Sequence, residues 1–458
     1  MTAYTALYKN CLTYINSYWD KIIFSPAKKK INRQIIDIPR AYVIPNDRKF
    51  RFIFYWDTFF ISRGLFGTKR EWLIKDMVEN FLFLYEKYHF IPNFNAPASM
   101  GRSQPPFLTS MILDVYEVLS HDKSLGNKVR SAFSNVFGKK DPAKIWLEKA
   151  TKIAIREYAN VWIDTQKIRH HRVSEYELSR YGDSDLGYAH SSELESGWDF
   201  TSRFYNRCDE FLPIDLNIYL YKYEKHFAKI AGILSDFGIA KDWEKKAKLR
   251  KKRINKYMWN EKSGFYYDFG YKHKRQSEFL SLAGFTPLWA GLATFKQAEQ
   301  MLKVLPAFET KYGLTITDKS SLAPQIDSTN VPERYKIAID AILKPKQWDY
   351  PNIWPPLEYL TVIGLLRYGF TEDAKRIMKK SIKAHARLFR KYGTFFEKIN
   401  GATGDKAKNY HYPTQTGFGW TNAIFFRYIK ILEDLDKGRN IYNTAKTDKP
   451  PFEFAIYH

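Results

Sequence analysis

Apolar side chains recur at three- and four-residue spacing through most long segments of the chain, the pattern of helices with one buried face. Between residues 69 and 88 the stripe is Leu73/Ile74, Met77/Val78, Phe81 and Leu84/Tyr85; a second runs Ile145/Trp146, Ala150, Ile153/Ala154 and Tyr158. The second opens on Asp141-Pro142, an acid able to cap the first turn followed by the helical position where proline loses no hydrogen bond. A third helix is predicted from Thr371 as cap, through Ile377/Met378, Ile382, His385/Ala386 and Phe389, to a closing Gly393. WNEKSGFYYDFGY (259–271) reads as a short hairpin.

Between the helices lie loops rich in Pro, Gly, Asn and Trp: IPNFNAPASMGRSQPP (91–106), QWDYPNIWPP (347–356) and NYHYPTQTGFGWTN (409–422). Solvated linkers carry few tryptophans, so aromatic loops of this kind predict a pocket lining. No low-complexity linker interrupts the chain from about residue 30 to 435, so residues 1–458 are expected to form one domain, with 436–458 as a short C-terminal tail. About a dozen helices without a series of strands point to an all-α fold. Helix pairs set in a ring would gather the aromatic loops at one end, although periodicity alone fits a solenoid equally well.

Composition narrows the classes. Hydrophobic residues make up 45% of the chain and aromatics 17%, which excludes disorder and supplies a large core. No apolar run approaches the ~18 residues of a membrane span, and MTAYTALYKNCLTY lacks the apolar centre of a signal peptide. A soluble, cytoplasmic protein without membrane contact is the expectation that follows. Two cysteines, Cys11 and Cys208, offer neither a disulfide framework nor a zinc site, and no metal or other cofactor is expected. The net charge is +24, with basic runs at 27–30 and 245–253. Asp242 and Glu244 just upstream make the second run read as a solvated helix face, and no nucleic-acid motif accompanies either, so no nucleic-acid partner is expected.

Two acids stand out. Asp199, in ESGWDFTSRF (195–204), lies between Trp198 and Phe200, and Glu397, in GTFFEKIN (393–400), follows two phenylalanines just past a helix end. Each has a plain structural alternative: Asp199 as a helix cap, Glu397 as an exposed loop acid. Taken together, two carboxylates in aromatic company suit an inverting glycosidase, in which one acid protonates the leaving oxygen and the other activates water across the sugar ring.

At these loops the chain resembles the trehalases of glycoside hydrolase family 37, whose signatures read approximately PGGRFRExYYWDSY and QWDxPNGWxP. The first corresponds to IPNDRKFRFIFYWDTFF (44–60) and the second to QWDYPNIWPP (347–356), which keeps both tryptophans and both prolines of the pattern. ESGWDFTSRF, RSQPP (102–106) and GFGWTN (417–422) match further motifs, so the resemblance spans about residues 10–435. It implies an (α/α)6 barrel and inverting hydrolysis of an α-glucoside, most simply α,α-trehalose, by a monomer whose partner is that small disaccharide. By motif position it implies Asp199 as general acid and Glu397 as general base. It further implies sugar contacts from Phe50, Trp56, Asp57, Asn93, Arg102, Gln104, Trp348 and Trp354, and from Arg172 on a loop of uncertain alignment. Trp56 and Trp348 have a core role as their alternative, and Asp57 a capping role.

The chain departs from the family in two places. Lys49 replaces the arginine eight residues before the YWD aspartate, keeping the charge but losing the planar fork. The glycine-rich lid ending in GEYP becomes GDKAKNYHYP, with His411 where the lid glutamate would stand. These changes leave open a different, even acidic, aglycone such as a glycosyl-glycerate, and a non-catalytic carbohydrate-binding homologue as a further class.

Overall fold

The computed structural model describes residues 3–26, 34–121, 141–164, 171–182, 189–322, 345–408, 410 and 412–439. The run 27–30, His411 and most of the tail, 440–458, lie outside the described residues.

Twelve of the helices among the described residues alternate between an outer and an inner ring: α1 (Lys9–Ile22), α2 (Tyr55–Ser62), α3 (Trp72–Tyr88), α4 (Leu108–His121), α5 (Pro142–Glu157), α6 (Ile214–Ile233), α7 (Phe237–Met258), α8 (Thr286–Ala290), α9 (Phe295–Val304), α10 (Pro355–Arg367), α11 (Thr371–Tyr392) and α12 (Gly419–Asp436). The even-numbered helices form the inner ring and α12 packs back on α2, closing it. The architecture is all-α, an (α/α)6 barrel, and not the open solenoid that periodicity also allowed.

The two rings differ as their surroundings require. Inner helices are enclosed on all sides: every residue of α2 is buried, as are Pro355–Leu366 of α10 and Ile214–Glu224 of α6. Outer helices bury one stripe and expose the rest. In α11 the stripe is Ile377, Met378, Ile382, His385 and Ala386, as the spacing predicts, and Gly393 ends the helix at φ 69°. Thr371 is the first helical residue rather than the cap, a position held by Phe370. Asp141 caps α5 through Ala143 N, with Pro142 in the first turn. In α5 Ala150, Ile153 and Ala154, and Tyr158 just past its end, are buried as the spacing predicts, but the stripe opens on Leu147, and Ile145 is exposed because it projects from the opposite side of the helix.

Aromatic rings fill the centre, with Phe107 stacked on Phe59 and packed against Tyr219 and Trp289. The run 245–253 lies on α7, where Ala247 and Arg250 face inward and its lysines line the outer face. The hairpin Trp259–Asn260 with Phe265–Tyr266 forms as predicted. Elsewhere short strands pair in twos, and Phe211–Leu212, Phe269–Gly270 and Arg275–Gln276 form a small three-stranded sheet.

Candidate active site

The loops that lead into inner helices converge at one end of the barrel. Segments 93–107, 196–213, 347–354 and 412–418 run into α4, α6, α10 and α12, with 395–408 preceding the last, and Asp57 sits in the first turn of α2. Antiparallel pairing of Asn352 with Asn400 and of Ile353 with Ile399 ties the QWDYPNIW loop to the segment carrying Glu397. Trp348 N donates to Phe200 O at 3.1 Å, and the Gln347 side chain donates to Asp199 O, tying the same loop to Asp199. Residues far apart in sequence are therefore held in one network.

Asp199 follows the short helix Ala189–Glu195 and lies in a loop, so it caps no helix. Its side chain keeps some exposed surface, yet it is surrounded by enough protein that desolvation dominates and pushes its carboxyl up to about 7; the charges of Glu397 and Glu193 add, while its own amide and Lys398 oppose. Asp57 is buried and raised well above the usual carboxylate range, first by desolvation and then by Glu397 and Asp199. Three carboxyl groups thus feel one another across a single space.

Glu397 is buried but fully partnered. Lys398 Nζ lies 2.7 Å from its Oε2 and Tyr412 Oη donates to its Oε1 at 2.9 Å, while its carbonyl accepts from Trp420 Nε1 at 3.0 Å. The Lys398 ammonium is itself buried over the Trp354 and Tyr412 rings, at 4.4 and 4.7 Å. The result is a carboxylate fixed in position by two donors.

Beneath these groups five buried tryptophans pack together. Trp348 stacks on Trp354 at 3.8 Å and on Trp198 at 5.6 Å, and Trp56 and Trp420 close the cluster. Gly197, at φ 75°, lies so near Trp56 that a Cβ would come within 2.8 Å of the indole, which fixes glycine before Trp198. Arg203 anchors the same loop, with buried bidentate bonds to Asp215 and Asp268 and its guanidinium over Trp198 at 4.5 Å. Trp56, Trp348 and Trp354 therefore lie in the floor of the site with little open ring surface.

The remaining sequence-predicted residues divide. Gln104 Oε1 accepts from Trp56 N and Asn93 O from Tyr55 N, which places RSQPP and IPN against the start of α2 beside Asp57. Arg102 is half-buried on the same loop, and Phe50 meets Tyr412 edge-on at 5.6 Å. Lys49 is exposed and reaches the site through Tyr412, its Nζ 4.1 Å from the ring centre. The Arg172 guanidinium pairs with Glu177 across its own hairpin at 3.0 Å. Its neighbour His171 turns inward instead, 2.8 Å from Glu195 Oε2, and Glu195 also accepts from Ser103 N and Gly182 N.

Sequence reasoning passed over Lys398, Tyr412 and Gln347. Lys398 had a usable signal, a lysine directly after an acid in the otherwise apolar stretch FFEKI, and Gln347 opens a quoted motif. Among the described residues no group of three or more His, Cys, Asp or Glu side chains is arranged to hold a metal ion, and no helix is long and apolar enough to cross a membrane.

The trehalase family model matches residues 4–196 and 187–433. The chain belongs to the trehalase family. Among its trehalase relatives, the cytosolic neutral trehalase of Kluyveromyces lactis is 28% identical over 91% of this chain and 60% of its own length. A probable trehalase of Saccharomyces cerevisiae is 29% identical over 88% of this chain and 56% of its own. The chain thus spans about three fifths of the length of these relatives. Neutral trehalase Nth1 from Saccharomyces cerevisiae superposes with a TM-score of 0.76 at 23% identity, covering 98% of this chain and 99% of that one. A mannosylglycerate hydrolase from Thermus thermophilus shares the trehalase fold more distantly, with a TM-score of 0.60 at 14% identity over 91% of this chain and 99% of that one.

Proposed function

We propose that this chain is an inverting glycosidase that hydrolyses α,α-trehalose to two glucose molecules, with Asp199 as general acid and Glu397 as general base. The observation that carries the reading is the contrast between two neighbouring carboxyl groups: Asp199 pushed up to about 7 by its surroundings, Glu397 paired with a buried ammonium and a phenol. One is suited to hold a proton, the other to accept one.

In the proposed reaction the Asp199 carboxyl gives its proton to the glycosidic oxygen as the bond from C1 to that oxygen breaks. Glu397 takes a proton from a water molecule that attacks C1 from the opposite face, so the new C1–O bond has inverted configuration. The tightly packed tryptophan floor keeps both carboxyls at fixed spacing, which the water between them requires. Asp57 forms a hydrogen bond with a sugar hydroxyl, and Asn93, Arg102 and Gln104 supply further polar contacts on the same side. Phe50 and the Lys49–Tyr412 pair border the second sugar, with His411 next to Tyr412 in sequence. The floor tryptophans Trp56, Trp348 and Trp354 support the sugar from below, while Arg172 serves its hairpin. Residues 1–458 act as one catalytic domain, as a monomer, in the cytoplasm.

The test is trehalose hydrolysis by D199N and E397Q, each checked for an unchanged melting profile. Both are expected to lose about 10²–10⁴-fold in kcat, the scale of general acid–base catalysis. Undiminished glucose release by either variant overturns the assignment.

A further inference from the structure

Residues 6–11 and α11 border a groove of about 1210 Å³ whose lining includes none of Asp57, Asp199 and Glu397. Its lining carries six cations and no aspartate or glutamate. Lys380, Lys383, Arg387 and Arg390 stand on α11 at spacings of three, four and three residues, so they form one stripe about 15 Å long at the helical rise. Lys9 and Lys311 face them.

Elsewhere on the surface some cations pair with acids one helical turn away, as Lys152 does with Glu148. In the groove Lys380 is paired with Glu309 and Arg387 is bonded to the Gly404 carbonyl. Among the described residues, however, no carboxylate pairs with Lys9, Lys383 or Arg390. Holding like charges around one concavity raises their mutual repulsion and the local potential. An anionic occupant relieves both.

The walls select among anions. Leu7, which is 71% exposed, gives apolar surface beside the cations. The rings are already engaged, Tyr8 against Phe425, Phe389 against Phe395 and Tyr312 under Arg387, so bases would find few faces on which to stack. We infer that this groove is a docking site for an acidic segment of a partner polypeptide, its carboxylates lying along the α11 stripe and an apolar residue against Leu7. About five extended residues span the stripe.

The test is fluorescence anisotropy of a labelled ten-residue peptide of alternating glutamate and leucine with the full chain. K383E/R390E is expected to weaken binding by about tenfold or more, whereas K245E/K248E, which removes as much charge from exposed positions on α7, changes it by less than about twofold. K383Q/R390Q gives the same ranking should charge reversal impair folding, and all variants are expected to keep their trehalose turnover. Equal weakening by the two double variants overturns the proposal, since it makes the binding a property of net charge. Displacement of the peptide by equimolar inorganic phosphate, or tighter groove-dependent binding of a single-stranded oligonucleotide, overturns it as well.

Discussion

A carboxylic acid that delivers a proton near neutrality needs surroundings that penalise its anion, and Asp199 has them in desolvation and in the charges of Glu397 and Glu193. The sign follows directly. The protonated form is the active one, so kcat/KM is expected to hold below about pH 7 and to fall as pH rises through it; a profile that rises through that range contradicts the assignment. Lys398 acts on both carboxyls, pairing with Glu397 and opposing the rise at Asp199. K398M is expected to slow kcat at least about tenfold and to move the alkaline limb to higher pH, because a charge that favours the Asp199 anion is gone. A loss of rate with no movement of that limb reduces Lys398 to a structural part. Asp199 and Glu397 were legible as acids among aromatics, but their roles came only from the resemblance, because a residue's partners lie far off in sequence. The same reason hid Tyr412, whereas Lys398 stands next to Glu397 in FFEKI and only its burial with the acid was hidden; Arg172, placed by a motif of uncertain alignment, pairs with Glu177.

At the scale of elements, the outer helices were the legible ones, since a helix wet on one face writes its burial into its spacing. Inner helices such as α10 are buried all round and carry no such period, so their ends and pairings were not readable. Their packing depends instead on close approach. Gly364 of α10 lies where α8 crosses, and a Cβ there would stand 2.7 Å from Leu288 Cβ and 2.8 Å from Trp289 N. G364A is therefore expected to destabilise the fold by about 1–3 kcal/mol through overpacking, measured by urea unfolding. A variant as stable as the parent would show that α8 and α10 can part without cost.

The whole molecule places chemistry where the ring's geometry allows it. Loops entering the inner helices meet at one end, so motifs scattered from residue 50 to residue 420 share one site. Periodicity left the ring as one of two options and the family resemblance chose it, because closure rests on α12 meeting α2, a contact between elements far apart in sequence. Among the described residues the basic run 245–253 lies on α7 and plays no part in the proposed hydrolysis. What the account asserts above all is inversion at one of two linked anomeric carbons. Proton NMR of trehalose hydrolysis, read within the first turnovers before mutarotation, tests that claim most directly. One β-glucose and one α-glucose per trehalose are expected; two α-glucoses, or no glucose at all, would contradict it.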